Sequence, residues 1–481
     1  MLRSVCKRAL CLLLCAALAA CLIPLASCAE EEPRDLYAIT ASYEEGVLRG
    51  QMRFTHRNRG EEALQFLAFN LYGNAFREGA AYAPVAQADV SAAYYAGESW
   101  GGMNILSVSP CAAWEVCGED ENILRVELAE ELFPGEEVTV EIGWELTLAA
   151  VNHRTGVAQG AVNLGNFYPV LCVYEVGQGF AECVYSSNGD PFYSDCADYE
   201  VTFTAPASYT VAASGEVLSA SQEGNKKQYT YALQNARDFA LCLSENFSVA
   251  MGEACGVPIA WYYTQDDDPQ ASLSLLEDCF AYYSETFGAY PYAQFSAAQT
   301  GFVYGGMEYP GLVFISSRAA GEDLFYTLAH ETAHQWWYAA VGNDQTKDAW
   351  MDEGLAEYST LLFFENAPQY GISRDARLDY ARRACRALAS VQAQVFGGAD
   401  TSMNRPLTAY GGYEYVVLTY CRGALLFDTL RDGMGDNRFF AALRRYFGAY
   451  AGKIARPEQL AACFGSASPI VESFVSGDAV V

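Results

Sequence analysis

Apolar and polar residues alternate along much of the first half of the chain. In the clearest run, apolar residues occupy every second position from Val138 to Leu148, with Thr, Glu and Gly between them. A period of two predicts a half-buried antiparallel strand. Shorter runs over 48–55, 199–204 and 228–233 are separated by Gly, Pro, Asn and Ser, which favour turns. We therefore expect an antiparallel β-sheet domain over residues 36–252.

The pattern changes after residue 252. Residues 259–264 predict one more strand, 271–287 a helix with apolar residues three and four apart, and 295–315 further strands. Beyond Gly321 we expect mainly helices: one from Glu322 that ends at Gly342, and one from Ala349 to Asn366 that Asp348 caps. A second domain over 253–481, helical in its C-terminal half, makes the chain an α+β multidomain protein.

The first 28 residues have the order of a secretory signal. A basic start precedes Ala9–Ser27, which carries no charge. The segment ending at Cys28 resembles a bacterial lipoprotein box, and residues 29–35 would be its tether. The segment ending at Cys21 is an alternative box, and plain secretion after Ala29 or an uncleaved membrane span are further readings. We expect export to a bacterial cell surface or periplasmic face, with a lipid anchor at Cys28.

Charge and cysteine content argue against nucleic-acid binding and against a metal site built from cysteines. With 29 Lys+Arg against 59 Asp+Glu, the formal net charge is −30, which disfavours a nucleic-acid partner. Eleven cysteines lie outside the signal, without Cys-x-x-Cys pairs, so a cysteine metal site is not indicated. Cys111 and Cys117 could form a disulfide, although the odd total leaves at least one free thiol.

The predicted helix after Gly321 contains His330-Glu331-Thr332-Ala333-His334. Two histidines four residues apart lie one turn apart on the same helix face, where both can bind one metal ion. Glu331 is rotated by about 100° from His330 and about 60° from His334, so it flanks the ion as a base would. With four histidines in the chain, chance gives this pattern in roughly a few chains per thousand.

A catalytic zinc site needs a third protein ligand and one open position. Glu353 lies in the next predicted helix, and eighteen residues separate it from His334. This distance allows the first helix to end and the chain to return. Glu357, one turn further, is the competing ligand.

These spacings resemble the gluzincin metallopeptidases, and three segments are similar to the aminopeptidase N family. Gly305-Gly306-Met307-Glu308-Tyr309 looks like that family's Gly-x-Met-Glu-Asn strand. Residues 350–356 look like its Trp-Leu-Asn-Glu-Gly-Phe-Ala segment, and residues 420–424 like its Tyr-x-Lys-Gly-Ala. Residues 190–192 resemble the Asp-Glu-Pro segment of its first domain. The resemblance covers about 190–430 and implies a thermolysin-like zinc peptidase domain.

The resemblance also implies a role for each matching residue. One Zn²⁺ per chain would be bound by His330, His334 and Glu353, and Glu331 would activate the attacking water. Glu308 would anchor the free α-amine of a peptide substrate, beside Gly305, Gly306 and Met307. Tyr420 would donate a hydrogen bond to the oxyanion, with Tyr413 and Tyr415 as nearby alternatives.

Three departures from the family pattern affect the expected specificity. Tyr309 stands where Asn is usual, and no second amine-binding acid can be placed from the sequence. The chain ends about 60 residues after Tyr420, from which we expect an open cleft that accepts longer peptides. The leading hypothesis is a zinc aminopeptidase. The alternatives are a zinc endopeptidase and a non-catalytic surface-binding lipoprotein.

Overall fold

The computed structural model describes residues 33–480. The predicted signal with its lipobox at Cys28, and residues 29–32 of the predicted tether, lie outside the described residues. Within the described part, no helix is long and apolar enough to cross a membrane.

Strands fill the first half of the described chain, continue to residue 316 and recur beyond it as two short strands. In chain order they are β1 (Leu36–Glu44), β2 (Val47–Arg57), β3 (Leu64–Asn70), β4 (Gly102–Ser109), β5 (Ala113–Cys117), β6 (Ile123–Leu132), β7 (Glu137–Thr147), β8 (Thr155–Ala158), β9 (Ala161–Leu164), β10 (Val170–Leu171), β11 (Tyr174–Glu175), β12 (Gly179–Phe180), β13 (Ala197–Pro206), β14 (Thr210–Ala213), β15 (Glu216–Glu223), β16 (Lys226–Ala236), β17 (Leu241–Ser244), β18 (Ser248–Ala254), β19 (Val257–Tyr263), β20 (Phe295–Thr300), β21 (Gly306–Met307), β22 (Leu312–Ser316), β23 (Val341–Gly342) and β24 (Lys453–Ile454).

Helices dominate the second half, and one short helix, α1 (Val90–Ala93), lies in the first half. The others are α2 (Pro269–Thr286), α3 (Glu322–Ala333), α4 (Gln345–Asp348), α5 (Trp350–Asn366), α6 (Arg374–Phe396), α7 (Gly412–Val416), α8 (Arg422–Met434), α9 (Asp436–Tyr450), α10 (Pro457–Cys463) and α11 (Ser468–Val475). A π-helical turn, Val417–Cys421, joins α7 to α8.

The largest sheet contains the predicted strands of the first half. Its seven strands follow the order β15-β16-β13-β1-β2-β7-β4. Val140, Ile142, Trp144 and Leu146 are all buried in β7, which confirms the alternation. The expectation of a purely antiparallel sheet is wrong at one pair, because β13 runs parallel to β1. The chain between them, residues 45–196, crosses through other sheets before it returns beside β1.

A five-stranded sheet begins the second half, in the order β18-β19-β20-β22-β21. Strands β19, β20 and β22 are parallel, and β21 pairs antiparallel to β22 at the edge. The predicted helix over 271–287 is α2. Asp268 caps it by accepting a hydrogen bond from Ala271, and Pro269 occupies the first turn. The α+β architecture with a helical C-terminal part is confirmed. The limits 36–252 and 253–481 stay a prediction, since β18 spans the point between them.

Helix α3 ends at Ala333, so the predicted end at Gly342 is wrong. His334 is the C-cap residue, and the chain then turns tightly. The amide groups of Ala339, Ala340 and Val341 each donate to a carbonyl five residues earlier. The helix carbonyls of Thr332 and Ala333 accept from the amides of Gln335 and Trp336 in the same buried turn. Tryptophan side chains at 336 and 337 fill the core there.

The predicted cap of the next helix is also wrong. Helix α5 begins at Trp350 after Ala349, without a side-chain cap. The short helix α4 precedes it, and there Asp344 caps by accepting a hydrogen bond from the amide of Thr346. Fourteen of the seventeen residues of α5 are buried. This helix therefore runs through the core of the second half, where caps contribute less than packing.

The two halves pack on each other from Asp35 onward as one unit. Residues beyond 253, among them Met307 and Tyr309, belong to the same apolar cluster as the large sheet. The buried guanidinium of Arg237 donates to the carbonyls of Ala339 and Lys453 on the other side. Residues from both halves can therefore line one cavity at fixed positions.

The cysteines of the described chain are free thiols. Cys111 and Cys117, which could have formed a disulfide, are both unpaired and half-buried. Of the eleven, five are buried and only Cys255 is exposed. No disulfide constrains the fold of residues 33–480.

Candidate active site

Helices α3 and α5 bring three donor atoms together. His330 and His334 lie one turn apart at the end of α3, and Glu353 lies in the first turn of α5. The Nε2 atoms of the two histidines are 3.1 Å apart, and Glu353 Oε2 is 3.3 Å from His330 Nε2 and 3.2 Å from His334 Nε2. All three side chains are buried.

This donor set fits a divalent metal ion. Ligands at 2.0–2.1 Å in tetrahedral geometry lie about 3.3–3.4 Å from each other, close to the three distances observed. Two imidazoles and one carboxylate are a common ligand set for zinc. Burial disfavours a charged ring, yet hydrogen bonds with Glu353 and Glu357 raise the pKa of His330 to about 10. The surroundings therefore favour a cation at this point.

The outer ring atoms of both histidines have partners that orient them. His334 Nδ1 lies 2.9 Å from the carbonyl of Trp337, and His330 Nδ1 lies 3.3 Å from Glu357 Oε2. Tyr326 holds Glu357 by donating a 2.5 Å hydrogen bond to its Oε1. Glu357, the competing ligand of the sequence analysis, thus faces the outer side of His330. Such partners fix the ring orientation of metal-binding histidines.

Glu331 lies beside the donor set. Its Oε2 atom is buried and has no hydrogen-bond partner among the described residues. Burial raises its pKa to about 7, although the neighbouring histidines lower it. A carboxylate with a pKa near neutrality can both accept and release a proton in a reaction.

The segment from Tyr304 to Glu308 forms one wall of the cavity. Tyr304, Gly305, Gly306 and Glu308 all line the cavity. The backbone at Gly306 approaches Glu331 closely, because a Cβ atom there would lie 2.4 Å from Glu331 Oε1. Glu308 is buried, and its Oε1 accepts a 3.0 Å hydrogen bond from Gln345 Nε2.

Met307, within this segment, and Tyr309, directly after it, point away from the cavity. Met307 is fully buried, and its Sδ lies 3.1 Å from Arg154 Nε. Tyr309, which replaces the Asn of the family pattern, is also fully buried and reaches into the first half. There it packs against Gly165, where a Cβ atom would lie 1.8 Å from the Tyr309 hydroxyl. The Tyr309 side chain thus contributes to the core between the halves rather than to the cavity.

Asp190 from the first half also lines the cavity. Arg154 donates to its Oδ1 from Nη2 at 2.5 Å and from Nε at 3.0 Å. Burial raises the pKa of Glu308 and Asp190, and each carboxylate stands in an environment rich in other acids. The sequence motif at 190–192 marked this segment. It gave no sign that the Asp190 carboxylate faces the histidines.

Of the three candidate tyrosines, two reach the cavity. Tyr420 lies in the π-helical turn and donates a 2.5 Å hydrogen bond to Glu353 Oε1. The Tyr415 ring packs edge-on against it, with 5.9 Å between centroids, and the Tyr415 hydroxyl has no hydrogen-bond partner in residues 33–480. Tyr413 is 61% exposed and is not part of the cavity wall.

Two glycines let Tyr420 approach Glu353. Gly354 and Gly423 face each other where α5 crosses the start of α8. A Cβ atom on Gly423 would lie 2.7 Å from the Gly354 Cα. Close backbone contact of this kind requires glycine. The Glu-Gly and Tyr-x-x-Gly spacings of the sequence therefore have a packing reason.

The three donor residues, Glu331, Glu308, Asp190 and Tyr420 line one cavity of about 480 Å³. Its wall is formed by residues of both halves: Ala86, Asp89, Arg154, Ser187, Asn188, Gly189, Asp190, Tyr304, Gly305, Gly306, Glu308, Tyr326, Thr327, His330, Glu331, His334, Glu353, Glu357, Gly412, Tyr415, Val416 and Tyr420. The volume is within the range of sites for small molecules and short peptide segments.

Comparison with known proteins confirms the resemblance to the aminopeptidase N family. Residues 271–477 match the Peptidase family M1 domain. Human endoplasmic reticulum aminopeptidase 2 is 25% identical over 297 residues, which are 56% of this chain and 29% of that protein. Human aminopeptidase O is 24% identical over 205 residues, which are 38% of this chain and 25% of that protein. The chain thus spans less than a third of the length of these curated relatives.

Solved structures share the fold over nearly the whole chain. An M1 zinc metallopeptidase from Deinococcus radiodurans superposes with a TM-score of 0.63 at 19% sequence identity, covering 93% of this chain and 94% of that one. A mutant of the same protein, bound to a Tyr-Ser-Ala substrate, gives the same TM-score and identity and covers 95% of its own chain. The two-part architecture is therefore common to both proteins.

Proposed function

We propose that this chain, whose residues 271–477 match the domain of peptidase family M1, is a zinc-dependent aminopeptidase that removes N-terminal residues from peptides. One zinc ion per chain would be held by His330, His334 and Glu353. The observation that carries the proposal is the placement of this donor set, the Glu331 carboxylate and the Glu308 carboxylate in one cavity.

Glu331 is suited to move protons during peptide hydrolysis. A zinc ion at the donor set would supply Lewis acidity and lower the pKa of water near it. The Glu331 carboxylate can accept a proton from the attacking water and release it to the leaving amine, since its pKa of about 7 permits both states. Its unpartnered Oε2 argues against a purely structural metal site, which would need no such base.

Glu308 and Asp190 give the cavity an end that favours a cation. Both are buried carboxylates, and only Arg154 offers a balancing guanidinium in this part of the wall. The free α-ammonium group of a peptide would bind here, whereas an internal peptide segment has no charge to offer. Cleavage would then fall after the first residue. Asp190, which belongs to the first half, would then be the second amine-binding acid that could not be placed from the sequence.

Tyr420 stands where it can donate a hydrogen bond to the substrate carbonyl oxygen as that oxygen gains negative charge. Its hydroxyl donates a hydrogen bond to Glu353 Oε1, so it lies beside the proposed zinc ligands. Removing one donor of this type from an enzyme typically costs about 2.7–4 kcal/mol. Tyr415, whose ring packs against Tyr420 and which also lines the cavity, is the neighbouring alternative.

Chelation and N-terminal acetylation test the activity together. Aminoacyl-coumarin amides should be hydrolysed by the purified protein, and a chelator should abolish the release until zinc is restored. A fluorescent decapeptide with a free N-terminus should be shortened from that end, while its N-acetylated copy should remain intact. Cleavage of the acetylated copy at internal bonds would instead support a zinc endopeptidase.

We also propose that the protein is exported and lipid-anchored at Cys28. The support is the basic start, the uncharged stretch and the lipobox-like segment of the sequence. Labelling of a bacterial expression host with a clickable palmitate analogue should mark the wild type and Cys21→Ser but not Cys28→Ser. Labelling that is lost in Cys21→Ser would assign the anchor to Cys21. No labelling of any variant would favour plain secretion.

A further inference from the structure

Asp89 is a cavity carboxylate without a role in the proposed reaction. It lies on the first half, directly before α1, and lines the cavity. Its side chain does not cap the helix. No residue of the described chain forms a hydrogen bond or ion pair with its carboxylate, which is half-exposed. A carboxylate left open on a cavity wall is available to a ligand.

The segment that carries Asp89 is held in place by the strand region beside it. The amide of Asn152 donates to the carbonyl of Ala93 at 2.9 Å, and its side chain donates to that of Ala92 at 3.2 Å. His153 Nε2 lies 3.1 Å from the carbonyl of Pro84. Both ends of residues 84–93 are therefore fixed, and Asp89 has a defined position relative to the cavity.

Asp89 lines the same cavity as Tyr304 and Glu308, so a first side chain that enters this cavity can reach its carboxylate. The donor set fixes where the scissile carbonyl must lie, and Glu308 fixes where the amine must lie. Tyr304 precedes Glu308 on the same wall and points into the same cavity. A side chain leaving the first Cα atom on the amine side would therefore pass along Tyr304, whose hydroxyl donates to the Ser187 carbonyl at 3.2 Å.

We propose that Asp89 makes this enzyme prefer peptides that begin with arginine or lysine. The proposal rests on the aminopeptidase function given above. The methylene groups of such a side chain would pack on the Tyr304 ring, and its cationic end would pair with the Asp89 carboxylate. Aromatic rings attract cations at their faces, and a guanidinium can bind a carboxylate through two parallel hydrogen bonds.

The one cation nearby does not offset this preference. The Arg154 guanidinium lies 5.6 Å from the Tyr304 ring centroid, so a second cation would approach it. Arg154 is however paired with Asp190 at 2.5 Å. Across the whole wall, six carboxylates (Asp89, Asp190, Glu308, Glu331, Glu353 and Glu357) stand against this single guanidinium and the two charges of a zinc ion at the donor set. The net field favours a basic side chain over an acidic one.

The test compares arginyl- and citrullinyl-coumarin amides, whose side chains have nearly the same shape and differ in charge. Wild-type kcat/KM should be roughly tenfold higher for the arginyl substrate, the effect of one charged hydrogen-bonded pair. Asp89→Asn should bring the ratio close to one by lowering kcat/KM for the arginyl substrate. Glu98→Gln is the matched control, because it removes an exposed acid from the same region that does not line the cavity.

A wild-type ratio near one, or a ratio that Asp89→Asn leaves unchanged, would overturn the inference while hydrolysis itself upheld the aminopeptidase function. If neither substrate is hydrolysed, the function fails instead. In that case, calorimetric binding of free L-arginine and L-citrulline tests whether Asp89 binds a cationic side chain. Tighter binding of L-arginine that Asp89→Asn abolishes would support the cation site, and equal binding of the two amino acids would overturn it.

Discussion

Gly306 lies so close to Glu331 that a Cβ atom on Gly306 would stand 2.4 Å from Glu331 Oε1 and 2.5 Å from its Cδ. A side chain at this position of the edge strand β21 would therefore force the Glu331 side chain to move. Glu331 lies close to both Glu308 and His334, so its carboxylate has a defined place beside the donor set.

Gly306→Ala should displace Glu331 and lower kcat/KM by about 10²-fold, because misplacing a catalytic group by about 1 Å has an effect of this size. Zinc content should stay at the wild-type level. Gly305→Ala is the control, since the nearest atoms to its Cβ would be those of Thr327 at 3.9 Å, an ordinary contact. Equal kinetics of the two variants would show that the close approach has no catalytic meaning.

Tyr420→Phe should lower kcat by about 10²–10³-fold if the hydroxyl stabilises the developing oxyanion. A role limited to orienting Glu353 would instead weaken zinc binding, by about 10–100-fold, and leave kcat of the zinc-saturated enzyme unchanged. Measuring kcat at saturating zinc beside the zinc dissociation constant separates the two. Tyr413→Phe, at an exposed position outside the cavity, should change neither value.

Glu353 and Glu357 should differ in their effect on zinc binding. Glu353→Gln removes a direct donor, so the variant should be purified without stoichiometric zinc. Glu357→Gln removes only the partner of His330 Nδ1 and should weaken binding by about 10–100-fold. Competition with a chromophoric chelator measures both affinities. The reverse order would identify Glu357 as the ligand.

Asp35 should make stability depend on pH. Burial alone would raise its pKa, but His56 and Arg59, each 2.8 Å from one carboxylate oxygen, hold the pKa below its usual range. A lowered folded-state pKa contributes stability above the unfolded value of about 3.9, and this stability is lost as the pH falls through the folded value.

Asp35→Asn should therefore lower Tm at pH 6–7, by an amount that corresponds to about 1–2 kcal/mol. The difference from wild type should shrink as the pH falls below about 4. Asp267→Asn, at an exposed position, should match wild type throughout. A Tm difference that is constant from pH 3 to pH 7 would mean that the ionised form of Asp35 does not stabilise the fold.

The parts of the fold that follow a local rule could be predicted from the sequence. The alternation around Val140 and Trp144 depends on one face of β7 being buried, and a period of two records this directly. The two histidines needed only a helix to share a face. An apolar spacing of three and four was enough to predict helix α2, which begins two residues earlier than expected, at Pro269.

The features that the sequence did not predict depend on packing between residues far apart in the chain. Helix α3 ends at Ala333 because a buried turn supplies amides to its last carbonyls, and no breaker residue marks that point. Asp190 reaches the cavity only because the two halves pack together. Tyr309 looked like a change at the substrate site, yet its ring occupies the space that Gly165 leaves open in the other half.

The most direct test of the catalytic metal site is zinc content by elemental mass spectrometry, measured together with hydrolysis of an aminoacyl-coumarin, for wild type and Glu331→Gln. We predict one zinc ion per chain in both proteins and a loss of activity of about 10³-fold or more in the variant alone. Undiminished activity in Glu331→Gln, or in wild type stripped of zinc, would contradict the account.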